Sequence, residues 1–256
     1  MLPNDLEGKA CLITGSSRGI GAAVARGIGA CGAHVAVHYN SGRDEAEAVA
    51  ADIVRAGGKA IVLHGDVTEI GTVERLLADT VRGFGRLDVL INNAGDVIAR
   101  HPVAESTDAF FDRHVALNIR PVFAACRAAI PQFRSQGGGG AIVNVSSVAA
   151  RTGGGGGSSL YAGAKAFVAT FTRALAKELA PDRIRVNAVS PGVIDTPLQN
   201  RVTPPEMLIV QATQIPLRRV GTAEECVGTF LYLCSEQASG YVTGQVVEVN
   251  GGLVMP

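Results

Sequence analysis

Seven short apolar runs recur along this chain, separated by longer stretches patterned for helix, and that alternation restricts the fold more than any other feature. The runs are KACLITG, HVAVHY, KAIVLHGDV, RLDVLINNAG, GAIVNVSS, RIRVNAVSPG and VTGQVVEVNGG. Helices are predicted over 19–31, 43–56, 69–83, 106–134 (punctuated by Pro121) and 222–234, with a further one carrying Tyr161. Parallel strands need a crossover of about a dozen residues, usually a helix, so this alternation reads as βαβ units. Strands that are apolar throughout must be covered on both faces. The expected fold is α/β: a doubly wound, parallel, seven-stranded sheet in one domain spanning 1–256.

Composition supports a core of that size and narrows the function classes. The chain is 47% hydrophobic and 18% charged, with a formal net charge of zero and no Lys/Arg block. Charge therefore points to neither nucleic acid nor an anionic membrane surface. No apolar run approaches the ~18 residues of a membrane span. Cys11, Cys31, Cys126, Cys226 and Cys234 form no C-x-x-C and lie in apolar segments, as buried reduced thiols do. The five His make no metal motif, so no metal is expected. The start, MLPNDLEGKA, has no hydrophobic signal region, and a cytoplasmic location is expected.

Two glycine tracts, Gly137–Gly140 and Gly153–Gly157, read as flexible loops, the second lying directly before Tyr161. Residues 193–220 are the longest stretch without clear strand character. Their apolar patch Met207-Leu208-Ile209-Val210, set between prolines, reads as a short lid helix.

The first strand ends in Thr14-Gly15-Ser16-Ser17-Arg18-Gly19-Ile20-Gly21, followed by a helix. Such glycines allow a tight turn, close approach of backbone to phosphate and close helix–strand packing, the phosphate site of a Rossmann-like fold. The helix N-terminus adds free N–H groups for a pyrophosphate. A literal G-x-G-x-x-G also occurs at Gly27–Gly32, but it follows a helix and precedes a strand, which is the wrong context. The turn also spells G-x-S-x-G at Gly15–Gly19, yet a hydrolase elbow needs an acid and then a His downstream, and the last His is His114. Tyr161 and Lys165 lie four apart on one helix face, where a cation can tune a phenol whose ordinary pKa is about 10. That spacing alone is weak and acquires meaning only with a site around it.

The strand ends in order give TGSSRGIG, Gly65-Asp66-Val67, Asn92-Asn93-Ala94-Gly95, Ser146-Ser147 and Ser190-Pro191-Gly192. With Tyr161-x-x-x-Lys165, this set resembles the short-chain dehydrogenase/reductase superfamily over the whole chain. The tail IPLRRVGTAEECVGTFLYLCSEQASGYVTGQVVEVNGG is similar to that of 3-oxoacyl-[acyl-carrier-protein] reductases and their many relatives.

The resemblance implies an oxidoreductase moving hydride between a nicotinamide and a carbonyl or secondary alcohol. Tyr161 would be the general acid/base, with Lys165 lowering its pKa and holding the nicotinamide ribose. Ser147, rather than Ser146, would bond the substrate oxygen. Asn118 would bend the long helix and hold a relay water. Gly15, Ser17, Arg18, Gly19, Ile20 and Gly21 would take the pyrophosphate side. Asp66 and Val67 would frame the adenine, with Asn92, Asn93, Ala94 and Gly95 along the ribose. Pro191, Gly192, Ile194 and Thr196 would face the nicotinamide.

Members that prefer NAD(H) place an acid at the end of the second strand, and here that position reads Tyr39-Asn40-Ser41. With Arg18 and Arg43 nearby, NADP(H) is expected over NAD(H). An NAD-dependent sugar or alcohol dehydrogenase is the alternative, and a non-catalytic nucleotide-binding scaffold is a different class. The resemblance also implies a homotetramer acting on a small molecule. No charged cluster marks a carrier-protein docking surface, though Arg100, Arg113 and Arg120 could contribute to one.

Overall fold

The computed structural model describes residues 4–255. A single 3-10 turn (Asn4–Leu6) leads into β1 (Ala10–Ile13), α1 (Gly19–Gly29), β2 (His34–Tyr39), α2 (Arg43–Arg55), β3 (Lys59–His64) and α3 (Thr72–Phe84). The second half runs β4 (Val89–Asn92), α4 (Asp108–Asn118), α5 (Arg120–Gln136), β5 (Gly140–Val145), α6 (Ala149–Thr152), α7 (Ser159–Leu179) and β6 (Ile184–Pro191). The last part is β7 (Ile194–Asp195), α8 (Pro197–Val202), α9 (Pro205–Gln214), β8 (Gly221–Thr222), α10 (Ala223–Cys234), α11 (Glu236–Ser239) and β9 (Val246–Val249).

Seven strands form one parallel sheet in the order β3-β2-β1-β4-β5-β6-β9. Every residue of β1, β4 and β6 is buried, as two-sided coverage requires. One apolar cluster joins the sheet to α1, α2 and α10, including Ile28, Ile53 and Phe230. The other joins it to α3, α5 and α7, including Leu76, Phe133 and Val168. Strand order reverses between β1 and β4, so a crevice opens at their carboxyl ends.

Local chemistry sets several boundaries differently from the sequence reading. The interruption expected at Pro121 is present and divides the 106–134 region into two helices: α4 ends at Asn118, and α5 starts at Arg120 with Pro121 in its first turn, where no N–H is needed. Gly71, at φ 89°, delays α3 to Thr72. The tract Gly137–Gly140 is not wholly a loop, because Gly140 opens β5. A Cβ on Gly139 would fall 2.3 Å from the Arg183 carbonyl oxygen, so that part of the tract serves close packing. Helix α6 was not foreseen; it is one turn at the end of the β5 loop.

The 193–220 excursion is pinned at its base by parallel pairing of β7 with β8. Helix α10 starts at a capping box, with Thr222 N–H donating to Glu225 Oε2 at 2.8 Å. The lid comprises α8 as well as α9, and α9 has no buried residue.

Candidate active site

A cleft of about 580 Å³ lies over the carboxyl ends of β1, β4, β5 and β6. That is within the usual range for small-molecule sites, roughly 300–1,000 Å³. Its walls bring together Gly15, Ser17, Arg18, Gly19, Ile20 and Gly21 from the turn, with Asn40 and Ser41 from the end of β2. Asp66, Val67, Asn93, Ala94 and Gly95 continue the wall, and Ser147, Tyr161, Lys165, Pro191, Gly192, Ile194 and Thr196 complete it.

The glycine turn is built for close approach. Gly15 and Gly19 sit at φ 65° and 56°, where only glycine is comfortable. A Cβ on Gly21 would come within 2.3 Å of the Gly15 carbonyl oxygen. Asn93 Nδ2 donates to the carbonyls of Thr14 (3.0 Å) and Gly15 (2.8 Å), bracing the turn from the β4 side. The bare turn, the open N-terminus of α1 and the cleft size fit a dinucleotide.

The rejected G-x-G-x-x-G has a packing role. A Cβ on Gly27 would meet Val227 Cγ1 at 2.3 Å, and one on Gly29 would meet Ile53 Cγ2 at 2.6 Å. Those glycines let α10 and α2 pack against α1. Among the described residues, no histidine ring is hydrogen-bonded to the G-x-S-x-G serine, Ser17. His38, which lines the cleft, uses Nδ1 to accept from Gly15 N–H at 2.8 Å and Nε2 to meet the Gly65 carbonyl at 3.0 Å.

Helix α7 carries the acid/base pair. Lys165 is 3% exposed, and its Nζ donates to the Val145 carbonyl at 2.8 Å. Ser146 Oγ donates to the Lys165 carbonyl at 2.9 Å, so this hydroxyl stitches β5 to α7. The Ser147 hydroxyl accepts from Ala149 N–H at 3.2 Å and is hydrogen-bonded to the Tyr161 phenol.

The expected lowering of the phenol by Lys165 is not found in the protein alone. Burial pushes Tyr161 up to about 12, the Ser147 hydrogen bond opposes it, and the Asp96 charge adds to the rise. Burial also lowers Lys165 to about 8. The ammonium is turned toward Val145 and stands 5.7 Å from the phenol ring centroid.

Asn118 is fully buried at the end of α4. Its Oδ1 accepts from Asp96 N–H at 3.0 Å and its Nδ2 donates to the Asp96 carbonyl at 2.9 Å. The side chain therefore clamps the turn after Gly95, where a Cβ would meet Asn118 Oδ1 at 2.9 Å and Lys165 Nζ at 3.1 Å.

Three expectations are corrected. Asn92 does not reach the cleft wall: it is buried beneath it and donates to Asn144 Oδ1 at 2.9 Å. Tyr39 also misses the cleft, because side chains alternate along a strand and its ring packs on His64 at 5.1 Å. Arg43 is held by Glu47 at 2.7 Å on the exposed face of α2. Arg18 does reach Ser41 Oγ, at 3.1 Å. The Asp66 carboxyl lies below its ordinary value although burial raises it, because hydrogen bonds from Thr68 and Asn40 prevail. Its Oδ1 accepts both from Thr68.

Sequence reasoning missed Asp96 and Arg201, and offered Arg100 only as part of a docking surface; all three line the cleft, while Arg113 and Arg120 do not. Arg201 pairs with Asp96 across the opening. Asp96 directly follows the Asn92–Gly95 turn, a position signal that was available; nothing in the spacing pointed to the arginines. Among the described residues, no His/Cys/Asp/Glu group could hold a metal ion, and no helix is long and apolar enough to cross a membrane.

Comparison with known proteins agrees with this geometry. Residues 15–254 match the family described as enoyl-(acyl carrier protein) reductase. The chain is 38% identical to a 3-oxoacyl-[acyl-carrier-protein] reductase of Synechocystis sp., covering 98% of each chain. It is 37% identical to 3beta-hydroxysteroid dehydrogenase 1 of Eggerthella lenta, covering 98% of this chain and 96% of that one. Among solved structures, NADH-dependent reductase A1-R', responsible for alginate metabolism, superposes with a TM-score of 0.91 at 36% identity, over 99% of this chain and 100% of that one. With the glycine turn, the seven-stranded parallel sheet and whole-chain similarity together, the chain belongs to the short-chain dehydrogenase/reductase superfamily and is a nicotinamide-using oxidoreductase acting on CH–OH groups.

Proposed function

We propose that the protein reduces a carbonyl group on a small molecule with NADP(H), and catalyses the reverse oxidation of the secondary alcohol. The observation that carries this reading is the meeting of the Ser147 hydroxyl, the Tyr161 phenol and the Lys165 ammonium in the cleft that also contains the glycine turn.

A nicotinamide held in this cleft would supply or accept the hydride. Ser147 donates a hydrogen bond to the substrate oxygen and orients the carbonyl. Tyr161 gives its proton to that oxygen as negative charge develops there. With its pKa at about 12, the phenol keeps this proton at neutral pH, so the resting site is set for reduction. Lys165, at about 8, is mostly charged at pH 7 and stabilises the phenolate left behind. It also holds the nicotinamide ribose. Asn118 keeps the Gly95–Asp96 turn in place, and its remaining N–H can hold a relay water. Asp66 and Val67 frame the adenine.

The NADP(H) preference rests on Arg18 and Ser41, which are hydrogen-bonded where a ribose 2′-phosphate would lie, and on the missing acid at Tyr39-Asn40-Ser41. NAD(H) is the second reading. Glu45 Oε2 and Arg18 Nη2 both come within 3.1 Å of where a Gly42 side chain would begin, and the A1-R' neighbour is NADH-dependent. Fluorescence titration of wild type and Arg18→Ala with NADPH and NADH separates them. NADPH should bind tighter in wild type and lose about tenfold or more in the variant. Equal affinity for both in wild type would defeat the preference.

A cytoplasmic homotetramer completes the reading. Phe123 and Phe167 are 44% and 39% exposed on α5 and α7, and both neighbour Phe171, an apolar face suited to a second copy. Light scattering that gives a monomer at micromolar concentration would remove it.

A further inference from the structure

Two arginines of the cleft lack a carboxylate partner among the described residues, Arg18 and Arg100; Arg18 donates to Ser41 Oγ on the glycine-turn side, which leaves Arg100 as the unpaired arginine near Ser158 and α8. Arg201 pairs with Asp96, and Lys165 is buried on the Val145 carbonyl. Arg100 has no carboxylate within 4.0 Å among the described residues. Its guanidinium donates only to neutral acceptors, and each contact is long: Val202 carbonyl at 3.3 Å, Ser158 Oγ at 3.3 Å and Thr203 Oγ1 at 3.4 Å. Bonds from a guanidinium to a carboxylate run about 2.7–2.9 Å and are roughly twice as strong as neutral ones. These three partners hold the charge in position without neutralising it.

The surrounding backbone is shaped to admit this side chain. A Cβ on Gly155 would fall 2.3 Å from Arg100 Nη1, so the glycine tract before Tyr161 leaves the guanidinium its space. His101 N–H donates to the Gly157 carbonyl at 2.8 Å, tying the two loops together. A Cβ on Gly157 would sit 2.7 Å from His101 N and prevent that contact. The tract that reads as flexible in the sequence is thus fitted around one cation.

The location links the guanidinium to the reacting centre. Ser158, which Arg100 contacts, stands at the N-terminal boundary of α7, three residues before Tyr161. Arg100, Ser158 and Tyr161 line the same cleft, so a ligand with its carbonyl at the phenol can place an anion on Arg100.

We propose that Arg100 is a specificity-determining residue that binds a carboxylate on the substrate, so that the substrate is a small oxo acid carrying its carboxylate a few bonds from the ketone. This rests on the carbonyl-reductase reading of the site. A neutral ketone leaves the guanidinium on its three weak contacts, whereas an oxo acid replaces them with a charge-assisted, bidentate pair.

The probes are 4-oxopentanoate and its methyl ester, which differ by one charge two methylenes from the ketone. Calorimetry on cofactor-loaded Tyr161→Phe measures binding without turnover. The acid should bind at least tenfold tighter than the ester, and adding Arg100→Gln should reduce that ratio to within about twofold of unity, with Arg100→Lys intermediate. The acid-to-ester ratio of kcat/KM in the Tyr161-containing protein should follow the same pattern, with the change mainly in KM. A purely structural role of Arg100 in holding α8 would weaken acid and ester equally and leave the ratio unchanged. That outcome, or no preference for the acid in the wild-type cleft, overturns the proposal. Acid-selective binding without turnover of any carbonyl compound would instead overturn the reductase reading and leave the anion site standing.

Discussion

The Nδ1 atom of His38 accepts the amide hydrogen of Gly15 at 2.8 Å, tying the end of β2 to the phosphate-side turn. The Gly65 carbonyl at 3.0 Å takes the other ring nitrogen's hydrogen, so the imidazole is neutral with its proton on Nε2. Burial holds its pKa below the ordinary value of 6.5 despite the Gly65 bond. As pH falls through and below 6.5, the unfolded chain gains a proton that the folded His38 resists, so folding stability declines. Protonation at Nδ1 would also remove the acceptor for Gly15. His38→Leu should cost about 1–3 kcal/mol at pH 7.5 by orphaning the Gly15 N–H. It should also shrink the stability loss between pH 7.5 and 5.5 in urea denaturation. An unaltered acid slope would refute this role.

Gly21 and Gly27 lie on the same helix, yet their substitutions should differ in kind. A Cβ on Gly21 meets the Gly15 carbonyl oxygen at 2.3 Å and Asn93 Nδ2 at 2.5 Å, both parts of the turn itself. A Cβ on Gly27 meets only the end of the Val227 side chain, which can rotate. Gly21→Ala should weaken cofactor binding by about tenfold or more. Gly27→Ala should cost up to about 1–3 kcal/mol of stability from overpacking while affinity stays within about twofold. Parallel cofactor titrations and thermal melts check both, and a cofactor defect in Gly27→Ala would revive the phosphate motif rejected above.

Burial of Lys165 makes stability depend on alkaline pH. Its folded pKa, about 8, lies below the unfolded value of 10.5, so the unfolded chain binds more protons between these limits. Lys165 should therefore contribute a rise in stability of the cofactor-free protein from pH 8 toward 10.5, on the order of 3 kcal/mol. The buried thiols of Cys11, Cys126, Cys226 and Cys234 act in the opposite sense above pH 9, and the Tyr161 phenol above pH 10, because burial raises the folded pKa of each. Urea denaturation at pH 7, 8, 9 and 10 should show wild type gaining stability relative to Lys165→Met as pH rises, since the thiols and the phenol are common to both. A difference that stays constant with pH would refute the role of Lys165.

The sheet was legible because full burial leaves a strong signature: strands such as ACLI and IRVNAVSP have no exposed face to encode. The turn and the α7 pair were legible because phosphate approach and i,i+4 geometry demand particular residues at particular spacings. What was missed depends on three-dimensional partners. Tyr39 and Asn92 lie at the right strand ends but point away from the cleft, which strand alternation decides only once the exact strand ends are known. The break at Ile119 was marked by Pro121, whereas the single turn of α6 was invisible to periodicity because it spans too few residues. Arg100 and Gly155 meet across 55 residues of sequence, and no local pattern reports such a contact.

The central claim is that Tyr161 moves the proton while the rest of the site holds the cofactor. Its most direct test is single-turnover oxidation of NADPH by a carbonyl substrate, followed at the nicotinamide absorbance band, in wild type and Tyr161→Phe. Loss of a general acid costs about 10²–10⁴ in rate. Tyr161→Phe should slow the step by that factor, with the NADPH dissociation constant within about threefold of wild type. A variant that keeps the wild-type rate would contradict the account.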